Sequence, residues 1–182
     1  MIKLFSFTVI FCSLGACASP QPASPALQGS RGDVIAIVFT SVDCPIANAM
    51  APQLRRTFRS AREQGIRTYL VYPRAGVTKE AMEEHASAYA LEAATIGDPD
   101  KKLVEQLGAT VTPEGFVLEY VGPDRFNVRY RGRLNDLYPS IGNRRDQPTQ
   151  FEFRDAILAV HEGRPVETPF PSAVGCMIER SR

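Results

Sequence analysis

The sequence predicts an α/β domain built on a mixed central sheet with helices on both faces. Three observations lead there. Residues 33–40 (DVIAIVFT) and 67–72 (RTYLVY) are short, β-branched apolar runs, as expected for strands buried on both faces of a parallel sheet. Between them Ile46, Met50, Leu54 and Phe58 recur at helical spacing, and a strand–helix–strand order makes the flanking strands parallel. Further on, residues 115–121 and 125–131 flank Gly122-Pro123-Asp124 as a hairpin, which adds antiparallel strands and makes the sheet mixed.

Each element has its own signals. Cys44-Pro45 opens the first helix, since proline in the first turn removes an N–H that has no partner there. Pro52 lies inside that helix and predicts a kink, and Gly65 ends it. Thr78 opens a second helix that runs with Glu80 to Tyr89, and residues 93–96 form a short strand. Asp98-Pro99-Asp100 caps a third helix through Leu107, which Gly108 stops. Val111-Thr112-Pro113 leads into the hairpin. Residues 132–148 read as a long polar loop, with Arg144 and Arg145 as surface charge. A last helix spans 149–161, with Phe153, Ile157 and Val160 as its apolar face, and Gly163 closes it. The tail, 164–182, is Pro-rich, carries Cys176 and reads as flexible. No internal repeat is present.

The 182 residues suit one domain, placed at 33–163. A net charge of +1 supplies no clustered cationic surface, so the composition gives no footprint for nucleic acid. After residue 17 no stretch stays apolar for the ~20 residues a bilayer crossing requires. The first residues are different. Lys3 precedes an almost unbroken apolar run, 4–14, followed by Gly15, Ala16 and Cys17, which is the pattern of a secretory signal over residues 1–16. The string LGAC resembles the bacterial lipobox. That resemblance implies that Cys17 is lipidated, that the chain is exported to the bacterial cell envelope, on the periplasmic side, and that it touches the membrane through this lipid only. Residues 17–32 (CASPQPASPALQGSRG) then form a flexible tether. Of the four cysteines, Cys12 leaves with the signal and Cys17 is taken by lipid. Cys44 and Cys176 remain in a compartment where disulfides persist, either as a redox pair or as two unrelated residues.

The order of elements and two local motifs resemble the thioredoxin fold. In CPIANAMAPQL, residues 44–54, a cysteine at a helix start is followed eight residues later by Pro52, preceded by Ala51. Val111-Thr112-Pro113 matches the family's cis-proline position. The DPD turn before the third helix is similar to the redoxin (AhpC/TSA and TlpA-like) branch. The resemblance covers roughly residues 33 to 131. Three departures accompany it. Ala47 stands where thioredoxins carry their second cysteine, so no local CxxC disulfide forms. Ile37 and Ser41 stand where peroxiredoxins carry proline and threonine. Thr40 stands where Sco-type copper chaperones carry a further cysteine.

The chemistry centres on Cys44. A helix N-terminus lowers a thiol's pKa, because unpaired N–H groups and the macrodipole favour negative charge. Asp43 opposes this where its carboxylate turns inward. Cys176 is the candidate resolving or disulfide partner, the other readings being a buried free thiol or an intermolecular bridge. The resemblance implies a cis-proline at Pro113 opposite the sulfur, with the Thr112 backbone pairing an extended substrate. His85 and His161 read as solvated residues. Together with Met50 and Met177 they are soft copper ligands in principle, but nothing in their spacing places them around one ion, so no metal and no cofactor are expected. The leading reading is an extracytoplasmic thiol-disulfide oxidoreductase or thiol peroxidase with Cys44 as nucleophile. Its partners would be a protein thiol or disulfide, or a peroxide, and a recycling reductant protein. The other reading is a non-catalytic module of the same fold that presents Cys44 to a metal or binds protein.

Overall fold

The computed structural model describes residues 21–22 and 27–179. The expected signal peptide, Cys17 and half of the tether lie outside the described residues. Eight strands and four helices are described: β1 (Gln21–Pro22), β2 (Val34–Phe39), α1 (Pro45–Glu63), β3 (Arg67–Tyr72), α2 (Lys79–Ala88), β4 (Ala94–Gly97), α3 (Lys102–Leu107), β5 (Val111–Thr112), β6 (Glu114–Gly122), β7 (Arg125–Gly132), α4 (Glu152–His161) and β8 (Cys176–Met177). Six strands form the main sheet in the order β1-β7-β6-β2-β3-β4, and β5 pairs with β8 in a separate two-stranded ladder. The sheet is mixed: β2 runs parallel to β3, and β3 to β4, whereas β6 is antiparallel to both β2 and β7.

Because side chains alternate across a strand, β2 feeds two cores. Ala36 and Val38 join Leu70, Tyr72, Val117 and Tyr130 under α1, α2 and α4. Ile35, Ile37 and Phe39 join Val71, Phe116, Leu118 and Tyr120 on the opposite face, against Leu103, Val104 and Leu107 of α3. These uninterrupted apolar runs therefore fill both sides of the sheet. Helix α1 is unbroken at Pro52, and Met50, Leu54 and Phe58 lie on its buried face. Thr78 caps α2 by accepting the Ala81 N–H. Asp98 holds the start of α3 by accepting the N–H groups of Leu103 and Val104.

Five readings of the sequence need correction. The domain begins before residue 33, since Leu27 is fully buried and Tyr120 donates its hydroxyl proton to the Leu27 carbonyl. The loop after β7 is not merely polar surface. Leu134 and Leu137 join the core, and buried Asp136 accepts from the backbone N–H groups of Thr149 (2.6 Å) and Gln150 (2.9 Å). The Gln150 carbonyl in turn accepts the Asp136 N–H at 3.3 Å in place of a helical bond, and α4 starts at Glu152 and not at 149. Arg145, read as free surface charge, pairs with that same Asp136. The tail is not free either. Arg131 donates its N–H to the Pro169 carbonyl at 3.0 Å, Ile178 donates to Thr110 at 3.0 Å, and the Ile178 side chain is buried in the α3-side core.

Candidate active site

Cys44 occupies the N-cap position of α1, directly ahead of Pro45. No side chain caps this helix and no acidic residue lies in its first turn, so its free N–H groups face the sulfur with their positive end. The residue is 2% exposed. Its Sγ lies 3.0 Å from the Thr112 carbonyl and 2.7 Å from Cys176 Sγ, a residue 132 positions away in the chain. Both are free thiols.

The tail brings Cys176 there as a strand. β8 pairs antiparallel with β5, Thr112 opposite Cys176 and Val111 opposite Met177. Gly175 is what permits this approach, since a Cβ on it would stand 2.2 Å from the Thr112 oxygen and 2.6 Å from its carbonyl carbon. The Thr112–Pro113 bond is cis. Next to it Glu114, 3% exposed, accepts from the Thr110 and Val111 N–H groups and from Arg131 Nε, which ties the β5 loop to β7. The four residues read from the sequence, Cys44, Thr112, Pro113 and Cys176, thus meet at one point; Cys17 lies outside the described residues.

The electrostatics of the two sulfurs differ. Burial pushes the Cys44 thiol up, but donation from Cys176 and the backbone N–H of Ala47 outweigh it, and the net shift is downward from the usual 9.0. The Thr112 side chain adds a further, smaller lowering. Cys176 moves the other way, to about 11, through burial first, then its sharing with Cys44 and the nearby Asp43 charge. The remaining proton of the pair therefore sits on Cys176. Asp43 turns outward: its carboxyl is held below the ordinary range by the Ser41 hydroxyl and by Arg74.

Behind Cys44 lies a buried polar network that sequence reading missed. Asn48, one turn along α1, donates to the Val42 carbonyl at 3.2 Å, and its Oδ1 is 2.9 Å from His85 Nε2. His85 Nδ1 lies 2.9 Å from the Tyr72 hydroxyl. His85 was read as solvated; it is 8% exposed, and burial lowers its pKa, so it is neutral at pH 7. The signal available was Asn48 four residues after Cys44, but its partners on α2 and β3 are visible only once the elements pack. His161 is exposed, Met50 is buried in the core and Met177 is 86% exposed. Among the described residues, no three His, Cys, Asp or Glu side chains cluster as a metal site, and no helix is long and apolar enough to cross a membrane.

A cleft of about 420 Å³ opens onto the sulfur pair, and Ser41, Asp43, Arg74, Lys101 and Ile178 are among its lining residues. Lys101 adopts a left-handed backbone, φ 58°, unusual for a residue with a Cβ.

A mixed sheet ordered β7-β6-β2-β3, a cysteine at the N-terminus of the helix after β2, and a cis-proline at the entry to β6 define a thioredoxin-like fold. The chain is similar to several solved structures. A hypothetical protein from Sinorhizobium meliloti 1021 matches 90% of this chain and 99% of its own, with 19% identity and a TM-score of 0.69. An uncharacterised conserved protein from Geobacillus kaustophilus matches 90% and 96%, with 17% identity and a TM-score of 0.68. A secreted Mycobacterium tuberculosis disulfide oxidoreductase homologous to E. coli DsbE matches 71% and 83%, at 18% identity and a TM-score of 0.47. No protein-family model and no curated protein matches the sequence.

Proposed function

We propose that this chain is an extracytoplasmic, lipid-anchored thiol-disulfide oxidoreductase in which Cys44 is the nucleophile and Cys176 its resolving partner. The observation that carries the reading is the 2.7 Å separation of the two sulfurs. A disulfide needs side chains that converge, and the β5–β8 ladder, by seating Cys176 opposite Thr112, brings its sulfur to that of Cys44 at the start of α1. The lowered Cys44 pKa and the raised Cys176 pKa match an attacking thiolate beside a proton-holding partner.

In the oxidative half-reaction the Cys44 thiolate attacks a substrate disulfide. One substrate sulfur joins Cys44 and the other leaves as a thiolate that takes up a proton. Cys176, giving up its proton, then attacks Cys44 Sγ, expels the first substrate sulfur and closes the Cys44–Cys176 disulfide. A peroxide in place of the disulfide gives Cys44 sulfenic acid and an alcohol or water, and Cys176 expels hydroxide, protonated to water. No cofactor takes part. An external dithiol, the recycling reductant protein, returns the pair to thiols. A metal-presenting module is less well supported. Metal–sulfur bonds of about 2.3 Å need the two sulfurs well apart around an ion, and these two are 2.7 Å apart.

Single-turnover assays with a disulfide and with a peroxide test the reading. Cys44→Ser abolishes turnover, whereas Cys176→Ser stalls with the substrate sulfur attached to Cys44. Full activity in Cys44→Ser, or inert thiols in the parent protein alongside stoichiometric Cu(I) binding, would overturn it.

A further inference from the structure

Resting on that oxidoreductase reading, we propose that Asn48 is a positioning residue for Cys44. Its side-chain amide holds the turn that carries the sulfur, and Tyr72 and His85 fix which way that amide points.

The two sulfurs reach each other from different parts of the fold. Cys176 arrives on β8, seated on β5, whereas Cys44 ends a short turn, residues 41–44, between β2 and α1. Within that turn the backbone bond from the Cys44 N–H to the Ser41 carbonyl is long, at 3.3 Å. On its outer side Asp43 pairs with exposed Arg74, and a surface ion pair restrains a backbone weakly. Asn48 holds the inner side. Its backbone N–H donates to the Cys44 carbonyl at 3.0 Å and its Nδ2 to the Val42 carbonyl at 3.2 Å. One residue thus grips the chain before and after the sulfur-bearing position.

An asparagine amide does this in only one of its two orientations, with Nδ2 toward Val42 and Oδ1 turned away. The neighbours settle which. Oδ1 accepts and never donates, so His85 Nε2, 2.9 Å from it, carries the ring proton. The ring is neutral, so Nδ1 is an acceptor and the Tyr72 hydroxyl, 2.9 Å away, donates to it. The donations therefore run one way, from Tyr72 on β3 through His85 on α2 and Asn48 on α1 to the Val42 carbonyl. With the amide reversed, two oxygens would face each other at Val42 and two N–H groups at His85, and those bonds would be lost.

The chemistry depends on this hold. To close the disulfide, the Cys176 sulfur, its proton lost, attacks Cys44 Sγ while the substrate sulfur departs and takes up a proton. A misplacement of about 1 Å costs such a step about a hundredfold. The Cys44 sulfur must also stay by the Ala47 N–H in the first turn of α1 to keep its thiolate stabilised. Freeing the Val42 carbonyl lets the turn swing and weakens both.

Asn48→Ala in the full chain is the test. An aromatic disulfide releases one thiolate as it caps Cys44 and a second as Cys176 closes the bond, so the second phase times closure. The expected result is a second phase slower by about tenfold or more, with the pH midpoint of Cys44 alkylation moved upward. Closure at the parent's rate with an unmoved midpoint, whether or not stability falls, would overturn the inference and leave the oxidoreductase reading intact. A parent protein without a second phase would overturn both. The unaltered protein supplies a measurement that needs no variant. Its two histidines are resolved by nitrogen-15 NMR, and His85 is expected as the Nε2–H tautomer. The Nδ1–H tautomer would reverse the amide and overturn the inference.

Discussion

At the scale of single residues, Cys44 and Cys176 divide their protons unequally because only one of them faces a helix end. The Cys176 thiol donates toward Cys44 and is among the strongest influences lowering the Cys44 pKa. Cys176→Ala removes that donor and leaves the burial cost in place, so the Cys44 pKa should rise toward or beyond the ordinary 9.0. The sign follows directly: at neutral pH the variant has less thiolate, and alkylation of Cys44 per accessible thiol gains its basic limb at higher pH. Ultraviolet thiolate absorbance against pH reads this. A Cys44 pKa unchanged in the variant would mean that the helix terminus alone sets it. The same scale explains why the Cys44–Cys176 pairing stayed open in the sequence. Cysteine spacing says nothing about distance when 132 residues intervene, whereas Ala47 did say that the partner could not be local.

At the scale of elements, caps and turns were the most legible features, because their bonds are local. Thr78, Asp98 and Gly108 do what their positions announce. Asp98→Ala, which removes the acceptor for the Leu103 and Val104 N–H groups at a buried site, should cost about 1–2 kcal/mol. Chemical denaturation measures it, and a loss within error would mean that α3 is held by packing alone. Helix α4 shows the limit of local signals. Nothing between 149 and 151 forbids helix, yet Asp136, thirteen residues upstream of Thr149, accepts the Thr149 and Gln150 N–H groups and gives its own N–H to the Gln150 carbonyl, an acceptor a helix would need. His85 shows another. Its neighbours on α2 are polar, yet the face that carries it turns inward onto Tyr72 and Asn48.

On the scale of the whole molecule, the tail is a structural part of the sheet's second face. Ile178→Ala takes a buried side chain from the core beneath α3 and should cost about 2 kcal/mol or more. Its more specific effect is to loosen β8, so maleimide labelling of reduced Cys44 should accelerate. Destabilisation without faster labelling would show that β8 is held independently of its anchor. Membrane attachment belongs to this scale too. Cys17→Ser should abolish acylation and move the protein from the membrane fraction to the soluble one, because a lipid chain contributes about 0.8 kcal/mol per buried CH₂ and the expected tether has no apolar substitute. A wild-type chain without lipid by mass spectrometry, or a serine variant that stays on the membrane, would end the lipoprotein proposal.

The sequence by itself determined the α/β class, the order of the principal strands and helices, the place of Cys44 at a helix start and the position of the proline before β6, because each rests on a period, a cap or a turn within a few residues. Only the tertiary structure decided that the Pro-rich tail is a pinned strand, that Leu27 belongs to the core, that His85 is buried behind Cys44, and that Cys176 lies at Cys44. These depend on β-pairing and side-chain packing between segments far apart in the chain. The contacts that seat β8, a two-residue ladder, one buried isoleucine and a glycine against the Thr112 carbonyl, leave no periodic trace in the sequence.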